Sequence, residues 1–174
     1  MGMQLIFCVE TDNKCKSDYI YIRNTIEKFY ALDQSRIKIS CVYMAGKGNY
    51  AAPKILKKIE EKIKLYKAGS NNNVSVVIYC FDCDEYFSKP ADKTFLDTAE
   101  KYCIENSHRF VWFCKDVEDV YLGKRIPDTM KKKEAETFAK KKMIRSIDIK
   151  QLHAEKYCDK KSNLCNVLDE YLNH

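Results

Sequence analysis

Apolar positions along this chain fall into two alternating textures. Short apolar stretches, "QLIFCVE" (4–10), "RIKISCVYMA" (36–45), "VSVVIYCF" (74–81) and "RFVWFCK" (109–115), read as strands, the first of them suited to burial on both faces. Between them the apolar residues recur near helical spacing. In "SDYIYIRNTIEKFYALD" these are Ile20, Ile22, Ile26, Phe29 and Tyr30, with Ser17 or Asp18 as N-cap. In "YAAPKILKKIEEKIKLYKA" Ile55, Ile59, Ile63 and Tyr66 form one stripe and Pro53 sits in the first turn. A loop leads to a third helix over Thr94–Glu105. "DVEDVYLG" reads as a turn or short helix closed by Gly123, and residues 130–145 are helical by composition. "SNLCNVLDEYLN" reads as a last helix, capped by Ser162, with Leu164, Val167, Leu168 and Tyr171 as its apolar face.

Helices alternating with hydrophobic strands require crossover connections. The expected fold is therefore α/β, a mostly parallel sheet with helices on both faces. No internal repeat or linker interrupts it. Residues 1–174 read as one domain, with 124–174 a helical, basic extension of it.

Ligands of open α/β sheets bind beyond the carboxyl ends of the strands. Acids gather at those ends: Glu10 and Asp12 after the first strand, Asp82 and Asp84 after the third, Asp116, Glu118 and Asp119 after the fourth. Crowded carboxylates repel unless a cation joins them. Oxygen ligands suit a hard divalent ion, magnesium or manganese. Histidine occurs only at 108, 153 and 174, which tells against zinc. In an extended exit Asp82 and Asp84 would face one ion while Cys83 points away.

Charge adds a second element. The net charge is +6, and the cations concentrate at Lys131, Lys132, Lys133, Lys140, Lys141, Lys142 and Arg145. They form either a solvated helix face or a track for a nucleic-acid backbone. Lys47, in the glycine-bearing turn "AGKGNY", is a candidate phosphate contact, though the spacing of a Walker A loop is absent. The chain is 45% hydrophobic and 32% charged, which argues against disorder. Of the nine cysteines, Cys8, Cys41 and Cys80 lie inside apolar runs, as buried thiols in a reducing compartment do. Cys80 and Cys83 make a C-x-x-C, but it ends a strand instead of opening a helix, and Asp82 opposes thiolate formation. No stretch resembles a signal peptide or a membrane span, so a cytoplasmic location is expected.

Glu10 followed by "FDCD" in this order resembles the TOPRIM fold of topoisomerases, primases and small nucleases. More narrowly, "VETDNKCKSDYI" and "CFDCDEY" are similar to the compact RloB-like/AbiLii-like TOPRIM proteins of bacterial mobile elements. "FCKDVEDVYLG" resembles that family's segment after the fourth strand, with Glu118 as the matching acid. Thr11 stands where the family commonly has glycine, and the C-terminal third matches loosely.

The resemblance implies that Asp82 and Asp84 hold magnesium, that Glu10 is a general acid or base or a further ligand, and that Glu118 serves a second site. The implied activity is phosphodiester hydrolysis of nucleic acid, in phage defence or a mobile element, with a larger protein encoded alongside as possible partner. Two other readings stand beside it. One is a non-catalytic TOPRIM-like module that binds nucleic acid or a partner. The other is a receiver-like regulatory domain, for which "CVETD" supplies a Glu and an Asp in place of a paired aspartate.

Overall fold

A computed structural model describes residues 2–174. Four strands, β1 (Met3–Val9), β2 (Ile37–Tyr43), β3 (Val74–Asp82) and β4 (Arg109–Phe113), form an all-parallel sheet in the order β2-β1-β3-β4. Six α-helices accompany them among the described residues: α1 (Ser17–Phe29), α2 (Pro53–Ala68), α3 (Pro90–Glu105), α4 (Val117–Leu122), α5 (Asp128–Lys140) and α6 (Leu164–Leu168).

The period of two in the strands divides the interior into two layers. Leu5, Phe7, Val9, Ile78, Cys80, Val111 and Phe113 face α1, α4, α5 and the C-terminal segment. Ile6, Cys8, Val77, Tyr79, Phe81 and Trp112 face α2 and α3. Leu5 through Val9 are each 0% exposed, which is why β1 reads as an unbroken apolar run. Each such side chain contributes about 1.5–3 kcal/mol on burial. Residues beyond 124 join the first layer through Ala135, Phe138, Ile144, Leu152, Leu164 and Leu168.

Three boundaries differ from expectation. The α1 N-cap is Lys16, in the left-handed region at φ 59, with Ser17 and Asp18 inside the first turn and buried. The Asp18 carboxylate turns back to the chain before the helix, so it cannot cap its own helix. The basic helix ends at Lys140, Lys142 adopts φ 53, and a 3-10 turn follows over Met143–Ser146. Its buried positions, Ala135 and Phe138, would next fall near Lys142. Breaking the helix there brings Ile144 into the core instead. The last helix is only Leu164–Leu168, because its leading residues serve β4. Ser162 Oγ donates to the Trp112 carbonyl (2.6 Å), and the Asn163 amide pairs with both Trp112 N–H (2.9 Å) and the Phe110 carbonyl (3.0 Å).

From β1 the chain crosses through α1 to β2. It then returns through α2, past β1, to β3. The direction of travel reverses there, so the carboxyl ends of β1 and β3 border a crevice. Among the described residues, no helix is long and apolar enough to cross a membrane.

Candidate functional site: a carboxylate cluster at the switch point

Glu10 leaves β1 and Asp82 ends β3, side by side at this crevice. Glu10 Oε1 accepts the Asp82 backbone N–H at 2.8 Å. Asp82 Oδ1 in turn accepts Val117 N–H at 3.1 Å, which ties it to the first turn of α4. Asp18, buried in the first turn of α1, accepts Thr11 N–H at 3.1 Å and the Ser17 hydroxyl at 3.1 Å. Asp116 caps α4 by accepting Asp119 N–H at 2.7 Å. Glu118, in the first turn of α4, is 0% exposed, and neither of its oxygens has a hydrogen-bond partner. Lys131 of α5 stands 3.2 Å from its Oε2 as an ion pair without hydrogen-bond alignment.

The electrostatics follow from this crowding. Burial, with the charges of Asp18 and Asp84, pushes Glu10 up from 4.5 to about 8, against the pull of the Asp82 N–H and Lys47. Asp82 is raised well above the usual carboxylate range by burial, Glu10, Asp18 and Asp116, with Lys131 opposing. Burial also raises Asp18, and it lifts Glu118 to about 7 despite Lys131. Burial pulls Lys131 down, but Glu118, Asp82, Asp116 and Asp18 together more than offset this and hold its ammonium protonated. One lysine thus serves four carboxylates.

Asp84 leaves this group. Its φ of 48 turns the chain after β3, so the exit is not extended and the two aspartates do not share a direction. Asp84 instead pairs with Lys47, whose ammonium also lies 3.5 Å from Asp92 and 4.8 Å from the centre of the Phe95 ring. Arg125 completes this second centre, 2.6 Å from Glu85, 3.2 Å from Asp116 and 3.7 Å from Asp84. Lys47, anticipated as a phosphate contact, is therefore held by acids in this arrangement.

These residues fit a magnesium ion in a limited sense. Magnesium commonly takes one or two carboxylates and fills its remaining positions with water. Glu10 with Asp82 supplies such a pair, and the orphaned oxygens of buried Glu118 are further hard donors. A cavity of about 390 Å³ opens beside Glu10 and Lys131. Adjoining grooves of about 520 and 690 Å³ carry Lys14, Lys16 and Lys132, and Lys14, Lys58 and Lys62, respectively. Lys132, Lys133, Lys140, Lys141, Lys142 and Arg145 are exposed, whereas Lys131 is turned inward.

Sequence reasoning missed Asp18 and Arg125. Asp18 looked like a helix cap, and nothing local marks Arg125 as the partner of residues some forty positions upstream. It also missed the groove lysines of α2, whose regular spacing reads as an ordinary solvated face. Cys80 and Cys83 are both buried free thiols, and Cys83 Sγ lies 3.1 Å from Cys114 Sγ, not beside Cys80. Compared with models of known families, with curated proteins and with solved structures, the chain finds no match, so what stands on its own coordinates is an α/β fold with a four-stranded parallel sheet.

Proposed function

We propose that this chain is a TOPRIM-like, magnesium-dependent phosphodiesterase acting on nucleic acid, of the RloB-like/AbiLii-like kind, with manganese as an alternative ion. The observation that carries the reading is the set of Glu10, Asp82, Asp18 and Glu118, gathered at the switch point of the sheet and raised in pKa beside one lysine. Such a group gains from a hard cation. Glu10 and Asp82 would hold the ion through oxygen and water, with Glu118 behind them. When bound, magnesium supplies charge stabilisation at a phosphoryl oxygen and at the leaving oxygen.

The chain's own groups have definable tasks. The Asp82 N–H and the Thr11 N–H fix the Glu10 and Asp18 carboxylates in orientation. Glu10, with a pKa near the operating pH and access to the cavity, is suited to pass a proton to or from water. Lys14, Lys16 and Lys132 line the groove next to it and would hold a phosphate backbone by charge alone. A role in phage defence or a mobile element, and a larger partner, belong to the same proposal and rest on the resemblance.

A second reading has its own support. Lys131, Lys47 and Arg125 already neutralise much of the acidic cluster, as a non-catalytic nucleic-acid- or partner-binding module would require. The two separate in one experiment. Cleavage of single- and double-stranded DNA and RNA is followed with magnesium, manganese or EDTA, for wild type and Asp82→Asn. Metal-dependent cleavage by wild type with a loss of at least about 100-fold in the variant supports the enzyme. Binding without cleavage selects the module, and equal cleavage by both proteins removes the assignment.

A further inference from the structure

A second constellation lies where residues 169–174 meet the end of α1. His153, Asp169 and His174 present ligand atoms that all lie within 4.8 Å of one another. His153 Nε2 is 2.9 Å from Asp169 Oδ2, and His174 Nε2 is 3.1 Å from Asp169 Oδ1. The carboxylate is thus bracketed, one oxygen to each imidazole.

The other ring nitrogens decide what this means. His153 Nδ1 lies 3.1 Å from the Ile149 carbonyl, and His174 Nδ1 lies 3.2 Å from the Phe29 carbonyl. A carbonyl oxygen only accepts, so each Nδ1 must carry the proton. Each Nε2 is then directed at a carboxylate oxygen of Asp169, so three ligand atoms converge on one point that a cation can occupy. An Nδ1 proton donated to a backbone carbonyl is also how metal-bound histidines are commonly held.

The surroundings keep the rings in place. The His174 ring stacks on Tyr30 with centroids 4.7 Å apart, and the Tyr30 hydroxyl donates to Asp169 Oδ1 at 2.6 Å. Asn173 is fixed through its carbonyl, which accepts Ala31 N–H at 2.8 Å. The N···O separations of 2.9 and 3.1 Å need to open by only a few tenths of an ångström. Ligands about 2.0–2.1 Å from a tetrahedral ion stand roughly 3.3 Å apart.

We propose that His153, Asp169 and His174 form a binding site for a late first-row divalent ion of the zinc class. Two imidazoles and one carboxylate suit zinc, cobalt, nickel or copper and are a poor set for magnesium. All three side chains reach solvent, so the ion enters directly and keeps at least one position for water. Bound there, it ties residues 169–174 to α1 and to the 3-10 turn at Ile149–Leu152, and it stabilises the fold by mass action.

The test uses protein freed of any histidine tag and stripped with EDTA. Zinc uptake is measured by equilibrium dialysis, and thermal unfolding is followed with and without the ion. One zinc per chain is expected, with a rise in melting temperature that magnesium does not produce. His153→Gln and His174→Gln should each weaken zinc at least ~10–100-fold and abolish the rise. His174 is exposed, so its variant also guards against a general loss of fold. Cobalt in place of zinc should show d–d absorption without a thiolate charge-transfer band. Absence of stoichiometric binding, or equal binding by the variants with a thiolate band, overturns the proposal and reassigns the ion to cysteines.

Discussion

Replacing Glu10 with glutamine tests the central electrostatic claim without any substrate. The amide is nearly isosteric, and its oxygen can still accept the Asp82 N–H that Glu10 accepts at 2.8 Å. What disappears is a negative charge that burial, Asp18 and Asp84 oppose. The wild-type carboxyl moves from 4.5 to about 8 on folding. A raised acid pKa means that the folded state prefers the protonated form. No penalty exists below pH 4.5; it grows as pH rises through the interval and saturates once pH passes 8. At about 1.4 kcal/mol per pH unit the ceiling is roughly 5 kcal/mol. Solvent at the cavity and relaxation of the neighbours bring the expected plateau to about 2–3 kcal/mol.

The assay is urea unfolding of both proteins from pH 4.5 to pH 9 in EDTA, with the difference in stability plotted against pH. Glu10→Gln should match wild type at the acid end and be the more stable protein by about 2–3 kcal/mol at the alkaline end. Adding magnesium at pH 8.5 should then narrow the gap, because the ion favours the charged wild-type site alone. A pH-independent difference, or a wild type that is the more stable at pH 9, would refute the reasoning.

Two further outcomes follow from the same structure. Asn163→Ala leaves Trp112 N–H and the Phe110 carbonyl without their partner and should cost roughly 1–3 kcal/mol in urea unfolding, with cleavage of any substrate unchanged. Reversing Lys132, Lys133 and Lys140 to glutamate should weaken nucleic-acid binding at low salt. The slope of log K against log salt should shrink by ~0.7–0.9 for each lysine that meets a phosphate, whereas an unaltered slope would mark them as a solvated face.

How much of this was legible in the chain depends on the range of the interaction. The strands were legible because the central parts of β1, β3 and β4 are buried on both faces, which leaves the apolar runs Leu5–Val9, Val76–Phe81 and Phe110–Cys114. The positions of Glu10 and Asp82 were legible for a related reason: where a buried strand ends, the first charged residue marks its carboxyl end. Asp84 was not, because a single left-handed residue at φ 48 redirects it, and no periodicity encodes that. The counter-cations were hidden as well. Arg125 reaches Glu85, and Lys131 reaches Glu118, only after α4 and α5 have packed. The scarcity of histidine was read as evidence against zinc, yet two of the three rings meet at Asp169. Scarcity says nothing about convergence.

The cover on β4 has a consequence for synthesis. Cys114 exchanges backbone hydrogen bonds with Lys161 and Lys160, at 2.9 Å each, and Asn163 serves Trp112 from 51 positions downstream. On the ribosome, the fourth strand emerges long before the segment that seals its outer side. During that interval the nascent sheet offers bare amide and carbonyl groups to any neighbouring chain. Stalling or nonsense truncation before residue 160 should therefore yield aggregates instead of a shortened, folded protein.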